Sequence, residues 1–427
     1  MASGQTMSTF NAVLKEHYTS DRVIDMTYRT NPLYAMMPKY SRFGGKNLPI
    51  PIQYGNPQGR SKDFSVAQAR STATSSAFDA FVLERKKDYS IATIENEVME
   101  ASIGNPNAFL EAATTEIDGA INSLVRDLSI NMYRPSTAQY AQVLAAPASG
   151  SSTVITVKEP GDISNFEVGM VLVIYAAARG TDTARVSATA GTGGTSGWEI
   201  IAIDRDQASP KITLAGATDG GNTIAADDYI FCKGDRNNTA TVADDKGIAG
   251  LESWIPYDPS DLTGSFFGVD RTVDETRLGG NRLDGTNAPL EEVLTDGDAT
   301  VAQNGGFAID HYFMSHNTFA SLKNSLGSKV QYVDVGVTPR VSFRTVQIDG
   351  VRGPIKCVPD HNCPENRVFG LQLEYFKLYS LGDPVQTISP DGLQMLRQNA
   401  ADGAEVRIGS YSQLGCRAPG SAITIKV

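Results

Sequence analysis

The stretch Leu48-Pro49-Ile50-Pro51-Ile52 restricts what this chain can fold into more than any other. Ile50 and Ile52 alternate with prolines in the two-residue rhythm of a strand, but proline has no N–H to give to a ladder. Prolines spaced by two put their missing donors on the same edge. The segment is therefore an edge strand or an extended arm, never a central strand. Gly55, Asn56, Pro57 and Gly59 follow, then Arg60 and Lys62, so that Ser41–Phe64 reads as an extended, turn-rich, basic segment.

From Phe78 to Val98 a long strand is expected. Phe81, Leu83, Tyr89, Ile91 and Thr93 alternate with polar neighbours, and Arg85, Lys86 and Lys87 occupy the middle. With Asn47–Tyr54 it makes a two-stranded excursion whose low-complexity tip is Ser71–Ala77. A lone ribbon is marginal in water, so it must lie on another surface. The first forty residues offer apolar anchors (Val23, Met26, Leu33, Met36) but no independent core, as in a segment tethered to something larger.

The best helix begins at Pro106, with Asn105 as its cap. Leu110, Ala113, Ile117, Ala120, Leu124 and Leu128 form one apolar stripe, and Pro135 ends the run. Extended to Tyr133, it would be about 42 Å long. From about 145 to 238 the composition shifts to Gly, Ser, Thr and Ala. Short strand-like runs (STVITV, VGMVLVIY, WEIIAI, PKITL, DYIFC) are separated there by turn signals, which predicts a small inserted all-β barrel or sandwich. The remainder, 239–427, reads as mixed α/β. It has a helix after Phe313, capped by Ser315 or Asn317 and closed by Gly327, and strands at VSFRTVQID, PIKCVPD, RVFGLQLEYFKLYSL and AITIKV.

Charge and cysteine content narrow the function. Lys plus Arg is 37 against 48 for Asp plus Glu, a net of −11. Gripping a phosphate backbone needs clustered positive charge, so this chain suits surrounding nucleic acid better than holding it. No run approaches a membrane span of ~20 apolar residues. The first residues lack a basic region followed by an apolar one, so no signal peptide is expected and the protein should stay in the cytoplasm. Four cysteines are too few for a disulfide framework in 427 residues.

No catalytic signature stands out. The glycines of GTGGTSG lack the following lysine and helix of a phosphate loop. Cys357, His361 and Cys363 form one loose group where zinc sites use repeated close pairs, and buried thiols are the simpler reading. Asp310, His311 and His316 resemble a base with its orienter but flank a helix cap. Asp227 and Asp228 sit at the start of a strand, and Asp296 and Asp298 in what reads as an acidic turn lacking a calcium loop's final glutamate. No cofactor or metal is expected.

Three stretches carry a resemblance: Val13–Arg60, Phe313–Gly327 and Tyr411–Val427. Together with the order of arm, β excursion, long helix and terminal strands, they resemble a tailed-bacteriophage major capsid protein of the Hong Kong 97-like fold, an α+β class. The resemblance implies an N-terminal arm (1–40), an E-loop excursion (41–98), a peripheral P-domain with its spine helix (99–144), the β insert (145–238), and an axial A-domain with returning P-domain strands (239–427). It implies hexamers and pentamers of an icosahedral shell that encloses double-stranded DNA without reading its sequence. Assembly would take place in the host cytoplasm, with no membrane involved and with portal, scaffolding and cement proteins as candidate partners. Some relatives crosslink a lysine to an asparagine; Lys62 lies in the excursion, but no partner is identifiable and that chemistry is not carried over. An encapsulin-type compartment shell has the same fold and is the alternative; a surface-binding β protein or a hydrolase fits less of the chain.

On this reading the apolar side chains of Asn47–Tyr54 and Phe78–Val98 bury against other subunits. Between subunits, basic Arg60, Lys62, Arg70, Arg85, Lys86 and Lys87 would meet acidic Glu95, Glu97, Glu100, Glu111, Glu116 and Asp118 on the approach to the spine helix and its first half.

Overall fold

A computed structural model describes residues 31–95, 106–147, 153–185, 197–206, 209–216, 224–239, 241–326, 332–337, 341–389, 396–397 and 402–427; within these, 106–115, 332–337 and 341–345 are described by backbone alone. Asn105 and Gly327, the expected helix cap and stop, lie outside the described residues.

The first element is a hairpin, Asn47–Gly55 against Ala77–Glu84, and it forms a two-stranded sheet of its own. Pro49 stands opposite Val82, whose N–H points out of the hairpin to Phe267 O at 2.9 Å. Directly opposed residues of an antiparallel ladder aim their N–H groups both inward or both outward. The nitrogens of Pro49 and Pro51 therefore lie on the free edge, where no donor is required. The expectation of one long strand from Phe78 to Val98 is corrected here. The strand breaks at Arg85, whose guanidinium donates to Phe43 O at 2.5 Å and lies 4.8 Å from the Phe43 ring. That anchor turns the chain out of the hairpin, and Lys86–Glu95 pairs instead with Gly403–Cys416, from Lys86↔Ser412 to Glu95↔Gly403.

Gly403–Cys416 is the axis of a six-stranded sheet. Its other edge takes Phe376–Ser380, Gln386–Thr387 and Leu396–Arg397, and Lys39–Tyr40 runs parallel beside Phe376–Ser380. The helix Pro106–Asn131, about 39 Å of it, lies on this sheet. Ala120 and Leu124 of its stripe are buried with Ala92, Val406 and Ile408. The carbonyls of the turn that follows it accept backbone N–H groups from a distant segment: Leu251 to Met132 O (2.7 Å) and Glu252 to Tyr133 O (3.0 Å). Gly250 permits that approach, because a Cβ there would sit 2.3 Å from Asn131 O.

A second, seven-stranded sheet runs in the order Asn281–Asp284, Ile423–Lys426, Arg367–Leu371, His311–Met314, Gly353–Pro359, Val341–Gly350, Tyr332–Val337. The helices Leu290–Gly305 and His316–Leu326 pack on it through Val293, Leu294, Val301, Phe319 and Leu322. Ser315 caps the second helix by accepting the Thr318 N–H at 3.2 Å. Asp296 and Asp298, expected in an acidic turn, are inside the first helix instead. Asp298 is buried and accepts N–H groups of Val351 (2.6 Å) and Ile309 (3.4 Å), a role its short-range pattern does not announce. The run RVFGLQLEYFKLYSL is also two strands, split by a turn of 3-10 helix at Leu373–Tyr375 that carries the chain from one sheet to the other.

All five strand-like runs of the glycine- and serine-rich region are strands: Thr153–Thr156, Val171–Tyr175, Trp198–Asp204, Lys211–Leu214 and Tyr229–Cys232. A sixth, Ala141–Gln142, precedes the boundary expected at 145. With it the sheet closes, since Val143 bridges Val157 and Leu144 N–H reaches Thr156 O at 2.9 Å, so every strand has two neighbours. Trp198, Phe166, Ile155, Ile174, Ile212 and Ile230 fill this barrel, and Ile130 of the long helix enters the same cluster. Arg134 of the helix region also pairs with buried Asp162, and Arg126 with Glu167, on the barrel's short 3-10 segment and the loop after it.

Candidate assembly surface

The hairpin root is part of its own chain's core. Ile50, Ile52, Phe81 and Leu83 are buried in the largest cluster, and the Phe81 ring lies 5.0 Å from Trp254, edge to face. This corrects the expectation that these side chains bury against other subunits. One face of a two-stranded ribbon can be covered by the strands and aromatic side chains beside it, and here Trp254, Phe266 and Phe267 do so.

The tip is different. Between the two strands Phe64–Ala73 is a helix, not the featureless return expected at Ser71–Ala77. Asp63 caps it, accepting from Ser65 N–H (2.8 Å), Val66 N–H (3.4 Å) and the Ser65 hydroxyl (2.7 Å). The Ser65 side chain and then these backbone N–H groups hold the Asp63 carboxyl below its ordinary range. Gly59 lets the preceding loop fold back on the helix, where its Cβ would meet Ser71 at 3.0 Å. No residue of this helix is buried. Phe64 is 82% exposed, Phe78 68% and Val66 43%. Arg60, Lys62 and Arg70 are exposed around them and make no ion pair among the described residues. Three bases against the single acid Asp63 make the tip positive, and its apolar groups have no cover in their own chain.

The remaining bases of the expected contact set lie elsewhere. Arg85 is held by Phe43, as above. The Lys86 ammonium donates to Ala243 O at 3.0 Å, and burial pushes its pKa down. Lys87 is exposed on the long strand. Of the acids, Glu95, Glu116 and Asp118 are exposed. Glu111 is on the helix with only its backbone described, and Glu97 and Glu100 lie outside the described residues. No ion pair joins the basic and acidic sets within one chain among the described residues. Sequence reasoning missed Phe64 and Val66, whose signal is an aspartate followed by a short run with no apolar stripe.

The groups weighed for chemistry are dispersed. His311 is on a central strand, where burial and then Lys356 push it down to about 4; burial, His316 and Arg126 do the same to His361. Cys357 is buried, its pKa pushed up to about 12, and Cys363 is buried beside Phe313 O. Asp227 pairs with Lys158 and Asp228 with Arg185, both tying the barrel together. Among the described residues no group of three or more His, Cys, Asp or Glu is placed to hold a metal.

The sequence matches no protein-family model and no curated protein. Solved structures do match. A chain of the cyanophage A-1(L) capsid asymmetric unit is 11% identical, with a TM-score of 0.50 covering 100% of this chain and 99% of that one. A Mycobacterium phage Ogopogo structure (10% identity, 99% and 99% covered) gives 0.46, and the holo-SrpI encapsulin complex of Synechococcus elongatus PCC 7942 (8%, 100% and 96%) gives 0.45. At such identities the likeness speaks for fold, and the first of these carries it. Over its whole length, this chain has a mixed α+β fold similar to that of the cyanophage A-1(L) capsid chain.

Proposed function

We propose that this chain is a major capsid protein, one that self-assembles as hexamers and pentamers into an icosahedral shell around a double-stranded DNA genome. The observation that carries the reading is the hairpin: its root is fixed in the core, whereas its tip helix has no buried face. A segment built that way is completed by a neighbour, and a shell supplies the same neighbour to every copy. The tip hairpin then acts as the E-loop and the long helix as the P-domain spine. The seven-stranded sheet is the axial domain, and the barrel is an insert between them. Arg60, Lys62 and Arg70 dock on acidic groups of an adjacent subunit, with Glu95, Glu116 and Asp118 as exposed candidates. A net charge of −11 gives a wall that repels the packaged polymer and so leaves it free to move. No enzymatic step is part of this role, and portal, scaffolding or cement proteins would bind the assembled shell.

Electron microscopy of the purified protein and of native particles tests this. Closed icosahedral shells containing DNA are expected. A small, fixed oligomer at all concentrations would overturn the reading, and shells filled with protein would move it to the compartment alternative.

A further inference from the structure

A cavity of about 430 Å³ lies against the hairpin root, and Val82, Val242, Ala249, Phe266 and Phe267 give it apolar walls. Phe266 and Phe267 belong to a tight turn between the two-residue strands Ser265–Phe266 and Val269–Asp270. Both central residues of that turn have positive φ, 49° at Phe267 and 93° at Gly268. Such turns favour Asn or Gly at both positions, and a bulky aromatic residue in the left-handed region is an outlier. The chain nevertheless puts Phe267 there, stacks its ring on Trp254 at 5.6 Å and ties its carbonyl to the Val82 N–H. An asparagine would make the turn more easily but would leave the cavity without one wall. The strained residue is kept for the surface it makes.

We propose that this cavity receives Phe64 from the hairpin tip of a second copy of the chain, and that the tip's bases settle on the acids around it. The inference rests on the shell reading above and deepens it by naming the receiving surface.

Charge selects the occupant. Asp245 in the wall is matched by Arg179. Lys86 is turned to Ala243 O, and buried Arg271, over the Phe266 ring at 4.0 Å, is engaged by Ser253 O and Asp261 O. Glu84 in the wall, Asp244 beside it and Asp270 opposite Ser265 make no ion pair among the described residues. The surround of the cavity is therefore negative, whereas the tip, with Arg60, Lys62 and Arg70 against Asp63, is positive. Each has apolar groups without cover in its own chain. The long strand also has an exposed apolar face, with Tyr89 (53%) and Ile91 (54%). There Lys87 and Arg407 balance Glu95 and Glu405 on the same face, so nothing in its charge selects a basic tip.

A chain cannot fill its own cavity. About 17 Å of strand separates Val82 at the wall from Ala77 at the far end, and the tip helix lies beyond. Tip and cavity are thus different surfaces of one molecule, and the contact between copies is head to tail. Each copy gives one tip and takes one, which leaves none over only when the copies close into a ring.

The full chain carrying Phe64→Cys and Val242→Cys, oxidised after assembly, tests the seat, because a disulfide forms only between Cα atoms within about 7 Å. Both positions are exposed, at 82% and 48%, so the subunit should fold as wild type does. A covalent ladder ending at the hexamer and pentamer is expected, and an equal mixture of the two single variants should give joined pairs and no ladder. Val242→Arg should set a base against the tip's bases and cut shell formation about tenfold at low salt, with an unchanged thermal midpoint. Closed shells without the ladder, or normal assembly of Val242→Arg, would overturn the seat and leave the shell reading standing. A ladder from Phe64→Cys with Tyr89→Cys instead would put the tip on the strand face and refute the cavity. A small, fixed oligomer at every concentration would overturn both readings.

Discussion

Arg179 closes on Asp245 with two parallel hydrogen bonds, Nε to Oδ1 at 2.7 Å and Nη2 to Oδ2 at 2.6 Å. Asp245 also accepts from the Ser136 hydroxyl (2.5 Å) and the Asn237 amide (2.9 Å). One carboxylate thereby joins a barrel loop, the segment after the long helix and the loop that follows the last barrel strand. Burial alone would raise its pKa, but the hydrogen bonds, that from Arg179 foremost, outweigh burial and hold it low.

Replacing Asp245 with alanine removes the carboxylate that Arg179, Ser136 and Asn237 share. Removing one partner of a largely buried ion pair costs about 3 kcal/mol. A lower denaturant midpoint with unchanged slope is expected, and a loss below about 0.5 kcal/mol would count against the clamp.

Phe78 and Phe81 sit three residues apart on one strand and should behave oppositely. Phe81→Ala opens a cavity against Trp254 and should cost about 3–5 kcal/mol. Phe78→Ala removes a ring that is 68% exposed and should leave the melting of the isolated subunit almost unchanged. Equal effects on unfolding would contradict the division into root and tip.

Phe64→Ser should give a folded subunit that assembles poorly, because the exposed ring loses little within its own chain. Reversing Arg60, Lys62 and Arg70 to glutamate should impair assembly most at low ionic strength, where screening is weakest. Light scattering across a salt series reads both. Normal assembly of the Phe64 variant would remove the tip from the interface.

The barrel, expressed as residues 139–239, should melt cooperatively with β-type circular dichroism, since its strands close on themselves. Its midpoint should be lower than in the full chain, because Ile130, Arg126 and Arg134 stay behind. A fragment starting at 145 lacks Ala141–Gln142, leaves two edges open and should fold less well. A random-coil spectrum from the longer fragment would sink the idea of a separable insert.

Local chemistry was enough to read much of this molecule. The missing N–H of Pro49 and Pro51 forces an edge whatever surrounds it. The apolar stripe of the long helix and the five short runs of the barrel are periodicities that burial imposes on any chain. What the sequence left undecided were pairings between distant residues. Nothing near Arg85 says that Phe43 will hold it and break one expected strand into two sheets. Nothing near Asp298 marks it as the acceptor for Val351, 53 residues away. The root of the hairpin reads as amphipathic ribbon in either case; only tertiary packing puts Trp254 under Phe81 and leaves Phe64 bare.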